Sequence, residues 1–171
     1  MIILVCILVL FFAVVGFGVF FGAPYVPSLR KDAKRMFDSL YTLSSKDVVI
    51  DFGSGDGLIL REVSRRRARA IGYEVNPLLV LVSRVLSRND PRVAVHAANF
   101  WLVKFPQETT LVYAFSVTRD GKRLVRKLQR EADRLNKDLA VICYGSQLPG
   151  VTPVQTFEAY ARYKIEPLHH R

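Results

Sequence analysis

The ten residues VVIDFGSGDG, 48–57, decide how this chain folds. Val48, Val49 and Ile50 form an apolar run that ends in Asp51 and passes into Gly53, Gly55 and Gly57. The run reads as a buried strand, and the glycines as a turn where the backbone must come close to a ligand. Leu58, Ile59, Leu60 and Val63 then read as the buried side of a helix. Strand, glycine turn and helix in that order make the ligand-binding corner of an open parallel sheet. A second signal supports the first. Ala70-Ile71-Gly72-Tyr73 runs into Glu74, 23 positions beyond Asp51. An acid at the end of the second strand of such a sheet accepts hydrogen bonds from ribose hydroxyls.

The charge of the turn narrows the ligand. A dinucleotide fingerprint reads G-x-G-x-x-G and points a helix N-terminus at a pyrophosphate. Here Leu58 stands at the third-glycine position, and Asp51 and Asp56 flank the bend. A carboxylate repels a pyrophosphate but attracts an ammonium or a sulfonium. S-adenosylmethionine carries both cations and no phosphate, so the acidic D-x-G-x-G-x-G form favours it over NAD or FAD.

VIDFGSGDG with GYEVNP downstream resembles the first two motifs of class I S-adenosylmethionine-dependent methyltransferases. PYVPS (24–28), ANFW (98–101) and SQLPGVTPV (146–154) extend the likeness. The series is similar to the small membrane-anchored lysine methyltransferases of the adenine nucleotide translocase and ATP synthase c-subunit type, and to their prokaryotic relatives. It departs from them at Leu58, where Arg or Lys is frequent, at Asn99, where Asp is usual, and at Val151, where Trp is common. The resemblance implies a doubly wound, Rossmann-like, mostly parallel seven-stranded α/β sheet of minimal size. It also implies S-adenosyl-L-methionine as cofactor and a lysine of a membrane-protein partner as acceptor. Methylation of a lipid or quinone, and a non-catalytic adaptor that keeps the fold, remain as alternatives.

Met1 to Ala23 contains no charged residue and is rich in Leu, Ile, Val and Phe. As a helix it would extend roughly 34 Å at ~1.5 Å per residue, enough for a bilayer core of ~30 Å. No basic residue precedes it and Pro24 follows at once, which favours an uncleaved anchor over a signal peptide. Arg30, Lys31, Lys34 and Arg35 come next, so the expected topology is single-pass with the domain on the cytoplasmic or matrix-equivalent side. The net charge of +10 falls wholly after the anchor. For a tethered domain it suits an anionic lipid surface, with Arg65-Arg66-Arg67 and Arg69 as the densest patch, better than a nucleic acid. No oligomeric state follows from these features.

The remaining organisation follows from punctuation and periodicity. Residues 24–46 read as a linker and a short helix capped by Ser28, with Leu29, Ala33, Met36, Phe37 and Leu40 on one face. The catalytic domain is expected over 47–166 and a tail over 167–171. Asn76 with Pro77 opens a helix through about Arg88. Strands are expected at 92–97, 110–115 and 139–144, a helix at 119–135, and a closing hairpin at 154–157 and 160–165. Only 98–109, broken by Pro106, joins strands three and four, which leaves little room for a crossover helix. Cys6 and Cys143 imply no disulfide, and His96, His169 and His170 have no metal-ligand spacing. No metal is expected.

Methyl transfer from a sulfonium starts from an activated donor, so a protein mainly binds, aligns and dehydrates the reactants. The expected cofactor residues are Asp51, Gly53, Ser54, Gly55, Gly57, Glu74, Asn99 and Phe100. Asp51 would attract the ammonium and Glu74 grip the ribose; Asn99 and Phe100 would lie near adenine. Asn99 also reads as a turn residue, and Phe100 and Trp101 as core. A lysine acceptor must lose a proton, which an aromatic, poorly hydrated channel favours. Tyr25, Trp101 and Tyr113 are the candidates to line it; no catalytic base is assigned.

Overall fold

The computed structural model describes residues 29–168 together with Val5. The expected anchor apart from Val5, and Tyr25, Ser28, His169 and His170, therefore lie outside the described residues. Among the described residues no helix is long and apolar enough to cross a membrane.

Seven strands form one sheet in the order β3-β2-β1-β4-β5-β7-β6. They are β1 (Val48–Phe52), β2 (Arg69–Glu74), β3 (Val93–Ala97), β4 (Leu111–Ser116), β5 (Leu139–Gly145), β6 (Gln155–Phe157) and β7 (Tyr160–Ile165). The first five are parallel; β7 runs antiparallel to β5 and β6 antiparallel to β7. Every residue of β1 is buried, as a parallel strand covered on both faces requires. The predicted strands and hairpin are all present, with ends shifted by a residue or so.

Side chains alternate across the sheet and feed two cores. On one face Val49, Tyr113 and Ile142 meet α1 (Arg30–Leu40), α2 (Leu58–Arg65) and α3 (Pro77–Leu86). On the other Ile50, Phe52 and Cys143 meet α4 (Gly121–Leu135), which a short 3-10 turn at Thr118–Asp120 precedes. The start of α1 differs from expectation. Its N-cap is Leu29, which gives no side-chain cap and is exposed rather than packed. Ala33, Met36, Phe37 and Leu40 are buried as predicted. The start of α3 follows the sequence: Asn76 Oδ1 accepts from the N–H groups of Leu78 and Leu79, with Pro77 at the first helical position.

The domain is minimal, as the spacing predicts. Residues 98–110 contain no helix and are fastened to α4 by a buried ionic cluster. Lys127 Nζ donates to Val103 O and, at 2.9 Å, to Glu131 Oε1. Glu131 Oε2 accepts from Phe105 N at 3.1 Å and from Arg134 at 2.7 Å. Burial opposes ionisation of Glu131, but Lys127, Arg134 and the Phe105 amide outweigh it and lower its pKa. At the N-terminal edge of the strands Asp47 plays a similar part. Its carboxylate accepts from Ser44 N and Oγ, both at 2.8 Å, from Thr110 Oγ1 at 2.8 Å and from Tyr41 OH at 3.0 Å. Burial opposes ionisation there too, yet these donors hold the Asp47 pKa below the ordinary carboxylate value.

Candidate active site

The predicted ligand corner lies at the C-terminal ends of β1 and β2. Gly53, Gly55 and Gly57 all have positive φ, at 69°, 54° and 79°, a backbone that only glycine adopts freely. The three differ in what surrounds them. A Cβ on Gly53 would meet nothing within 4 Å, so this bend faces open space. A Cβ on Gly57 would overlap the Ser83 side chain of α3, so that glycine serves helix packing. Gly53 N and Ser54 N donate to Tyr73 O at 2.9 and 3.2 Å, tying the bend to the end of β2. Ser54 is buried, and its Oγ has no hydrogen-bond partner.

Glu74 is the buckle of this corner. Its Oε2 accepts from Gly55 N at 2.9 Å, and its Oε1 accepts from Val75 N and Asn76 N, both at 2.8 Å. The residue is 7% exposed, so the carboxylate is fixed by backbone donors at the lip of the bend. Asp56 opens the turn into α2; its Oδ1 accepts from Leu58 N at 3.2 Å and its Oδ2 pairs with Arg61 at 3.0 Å.

Asp51 has no such support. It is 2% exposed, and its Oδ2 has no hydrogen-bond partner. Burial, then the charges of Glu74 and Asp56, push its pKa well above the ordinary carboxylate value. A buried carboxylate without a partner is costly when ionised. A cation beside it would reverse that cost. The residues therefore fit a cofactor that offers an ammonium at the end of β1, hydroxyls near Glu74, and a backbone-hugging middle at Gly53.

Next to this acidic half lies an aromatic one. Asp51 is in register with Tyr113 of β4, and Phe115 lies two residues on, on the same face. Phe115 is 5.7 Å from Tyr144 between ring centroids, and Tyr144 is 4.8 Å from Tyr160. Burial, then Asp32, Tyr144 and Glu158, push the Tyr160 phenol up to about 12. Helix α1 closes this side, since Arg35 midway along it pairs with Glu158 in the β6–β7 turn at 2.6 Å.

Asn99, Phe100 and Trp101 lie on the loop that follows β3. Asn99 is exposed, and its Oδ1 accepts from Trp101 N at 3.1 Å, the geometry of a turn. Phe100 stacks on Phe52 at 4.5 Å, on the face opposite Asp51. Trp101 packs on Phe100 and lies under the Arg123 guanidinium, 4.2 Å away. Cys143 is buried, its thiol pushed up to about 12 by burial. A cavity of 340 Å³ lined by Tyr41, Thr110, Lys137 and Lys164 opens at the N-terminal edge of the strands and shares no residue with this site. Among the described residues no group of three or more His, Cys, Asp or Glu side chains could hold a metal ion.

No protein-family model matches the chain. It is 32% identical over 155 residues to the ATP synthase c-subunit lysine N-methyltransferase of Xenopus laevis, covering 85% of this chain and 67% of that protein. The human protein of the same name is 32% identical over 133 residues, covering 76% of this chain. The chain belongs to this family of protein-lysine N-methyltransferases. It spans 54% of the human relative's length. A protein-lysine N-methyltransferase of Saccharolobus islandicus is 27% identical over 140 residues, covering 79% of this chain and 84% of that one. Among solved structures, an RNA methyltransferase of Salinibacter ruber in complex with S-adenosyl-L-homocysteine superposes with a TM-score of 0.71. At 22% identity, over 84% of this chain and 95% of that one, it shares the class I methyltransferase fold.

Within that fold, sequence reasoning reaches the acidic half and misses most of the aromatic one. It singles out Tyr113 but not Phe115, Tyr144 or Tyr160. The alternation of Tyr113 and Phe115 along β4 is a usable signal for one of them. The other two come from strands that meet only through the sheet order.

Proposed function

We propose that this protein transfers a methyl group from S-adenosylmethionine to a lysine amine of a membrane-embedded partner. The observation that carries the reading is the buried Asp51 carboxylate oxygen without a partner beside an open glycine bend. Bound S-adenosylmethionine supplies a methyl group already activated on a sulfonium. Asp51 would face its ammonium, Glu74 would receive the ribose hydroxyls, and the Gly53 bend would let the backbone approach the amino-acid portion. Asn99 and Phe100 belong to the adenine side of this reading, where Phe100 presents a ring already backed by Phe52.

The acceptor amine needs a lone pair. Phe115, Tyr144 and Tyr160 form a run of packed rings, an apolar surrounding that disfavours an ammonium and lowers a lysine pKa. Tyr113 lies behind them in the buried layer. The relatives' names give a lysine of the ATP synthase c-subunit as their acceptor. For this chain a membrane protein of that kind is the partner, and residues 1–23 are the anchor that brings the site to it. Arg30, Lys31, Lys34 and Arg35 hold the domain on the cytoplasmic or matrix-equivalent side, and Tyr25 stays a candidate for the acceptor channel.

The test is incubation of the full chain with host membranes and labelled S-adenosylmethionine. Label in one membrane protein, at a lysine by mass spectrometry, is the expected result. Label in the lipid phase would replace the acceptor, and no label anywhere would overturn the enzymatic reading.

A further inference from the structure

The three helices on the Asp51 face differ in what they turn outward. On α1 and α2 the exposed positions are mostly charged, among them Arg30, Lys31, Lys34 and Arg65. On α3 they are apolar. Leu81, Val82, Val85 and Leu86 are 58%, 36%, 49% and 55% exposed, and Val75 just before the helix is 42% exposed. The buried positions of α3 are Val80 and Ser83, so these exposed side chains lie outside the core. Five large exposed apolar groups within twelve residues form a patch that a soluble surface rarely carries without a use.

We propose that this outward face of α3 lies in the surface of an anionic bilayer, as a second membrane contact beside the N-terminal run. The helix carries no acid; Arg84 in its last turn is held on Val95 O, and the exposed Arg88 and Arg92 follow just beyond its C-terminal end. Apolar side chains rimmed by arginines are what an interfacial helix presents to acyl chains and to phosphate headgroups. The turn from Arg65 to Arg69 adds four arginines, of which Arg65 pairs with Glu62, Arg66 with Glu62 and Asp38, and Arg69 with Glu108. A second copy of the chain would instead bring two arginine rims together. The placement also suits the site. Helix α3 starts three residues after Glu74, so a bilayer against α3 would keep the ligand corner near lipid. The inference rests on the reading of residues 1–23 as an anchor only in that both put the domain at one membrane.

The test uses the full chain with Cys6 and Cys143 replaced by alanine and an environment-sensitive fluorophore on Val85→Cys, or on Arg126→Cys of α4 as a control. In vesicles containing phosphatidylserine, the probe at 85 should shift to the blue and lose its quenching by iodide, while the probe at 126 stays quenchable. Adding Leu81→Glu and Leu86→Glu, both at exposed positions, should restore quenching at 85 without altering the circular dichroism. A probe at 85 that remains open to iodide in those vesicles overturns the inference. So does protection that follows protein concentration and not lipid, which would assign the face to a second copy. Alkaline carbonate stripping the chain from vesicles while neutral vesicle samples still protect position 85 would remove the anchor reading alone.

Discussion

The two halves of the strand ends meet at Asp51 and Tyr113, neighbours in register, and differ in what they leave undone. On the β1–β2 side polarity is concentrated and incomplete: Glu74 is held by three backbone N–H groups, while Asp51 Oδ2 has none. On the β4–β5–β7 side rings pack on rings, Phe115 against Tyr144 and Tyr144 against Tyr160. The first half stores an electrostatic demand that a cation satisfies. The second offers an apolar surrounding, which disfavours the charged form of an amine. Cofactor affinity and acceptor chemistry should therefore separate by mutation.

The largest effect on cofactor affinity is expected at Asp51. Replacing it by alanine removes a charge-assisted contact of about 2–3 kcal/mol, so the dissociation constant measured by calorimetry should rise roughly 30- to 150-fold. Glu74→Ala should follow, weakening binding by about 1–2 kcal/mol, with the 53–57 bend also loosened in hydrogen exchange because Gly55 loses its acceptor. Tyr144→Leu should leave cofactor affinity within about twofold yet lower kcat/KM for the lysine acceptor about tenfold, near 1.4 kcal/mol. If Tyr144→Leu instead weakens the cofactor as much as Glu74→Ala does, the division into halves fails.

The smallest effect on the site is expected from Asp47, at the opposite edge of the sheet. Asp47→Asn should leave cofactor binding unchanged but cost about 1–2 kcal/mol in denaturant unfolding. Its pKa is lowered in the folded state, so its contribution is present above the unfolded value near ~3.9 and is lost as pH falls through the folded one. The variant should accordingly lose less stability than the parent between about pH 4 and lower pH.

Much of this was legible in the sequence for a physical reason. Strand and helix order follow from local periodicity, and the acidic half is local too, since Asp51, the glycines and Glu74 fall within one strand-turn-helix-strand unit. The aromatic half was harder to read because Phe115, Tyr144 and Tyr160 belong to strands brought together only by the order β4-β5-β7. Asn99 and Phe100 share one loop, yet one forms a turn and the other a stack, which composition alone does not separate. Likewise PLLVLV, residues 77–82, reads as an apolar helix without revealing that Val80 faces in while Leu81 and Val82 face out. That Gly57 answers to Ser83 and not to a ligand depends on where α3 packs.

Calorimetric titration of S-adenosylmethionine into the full chain across pH, in buffers of different ionisation enthalpy, tests the central claim most directly. Because the free Asp51 carboxyl holds its proton to unusually high pH, an arriving ammonium should expel that proton. Affinity should then rise with pH, with a proton released on binding, and the Asp51→Asn variant should lose both behaviours. Absence of binding, or binding in which Asp51→Asn keeps the parent's affinity and proton release, would contradict the account.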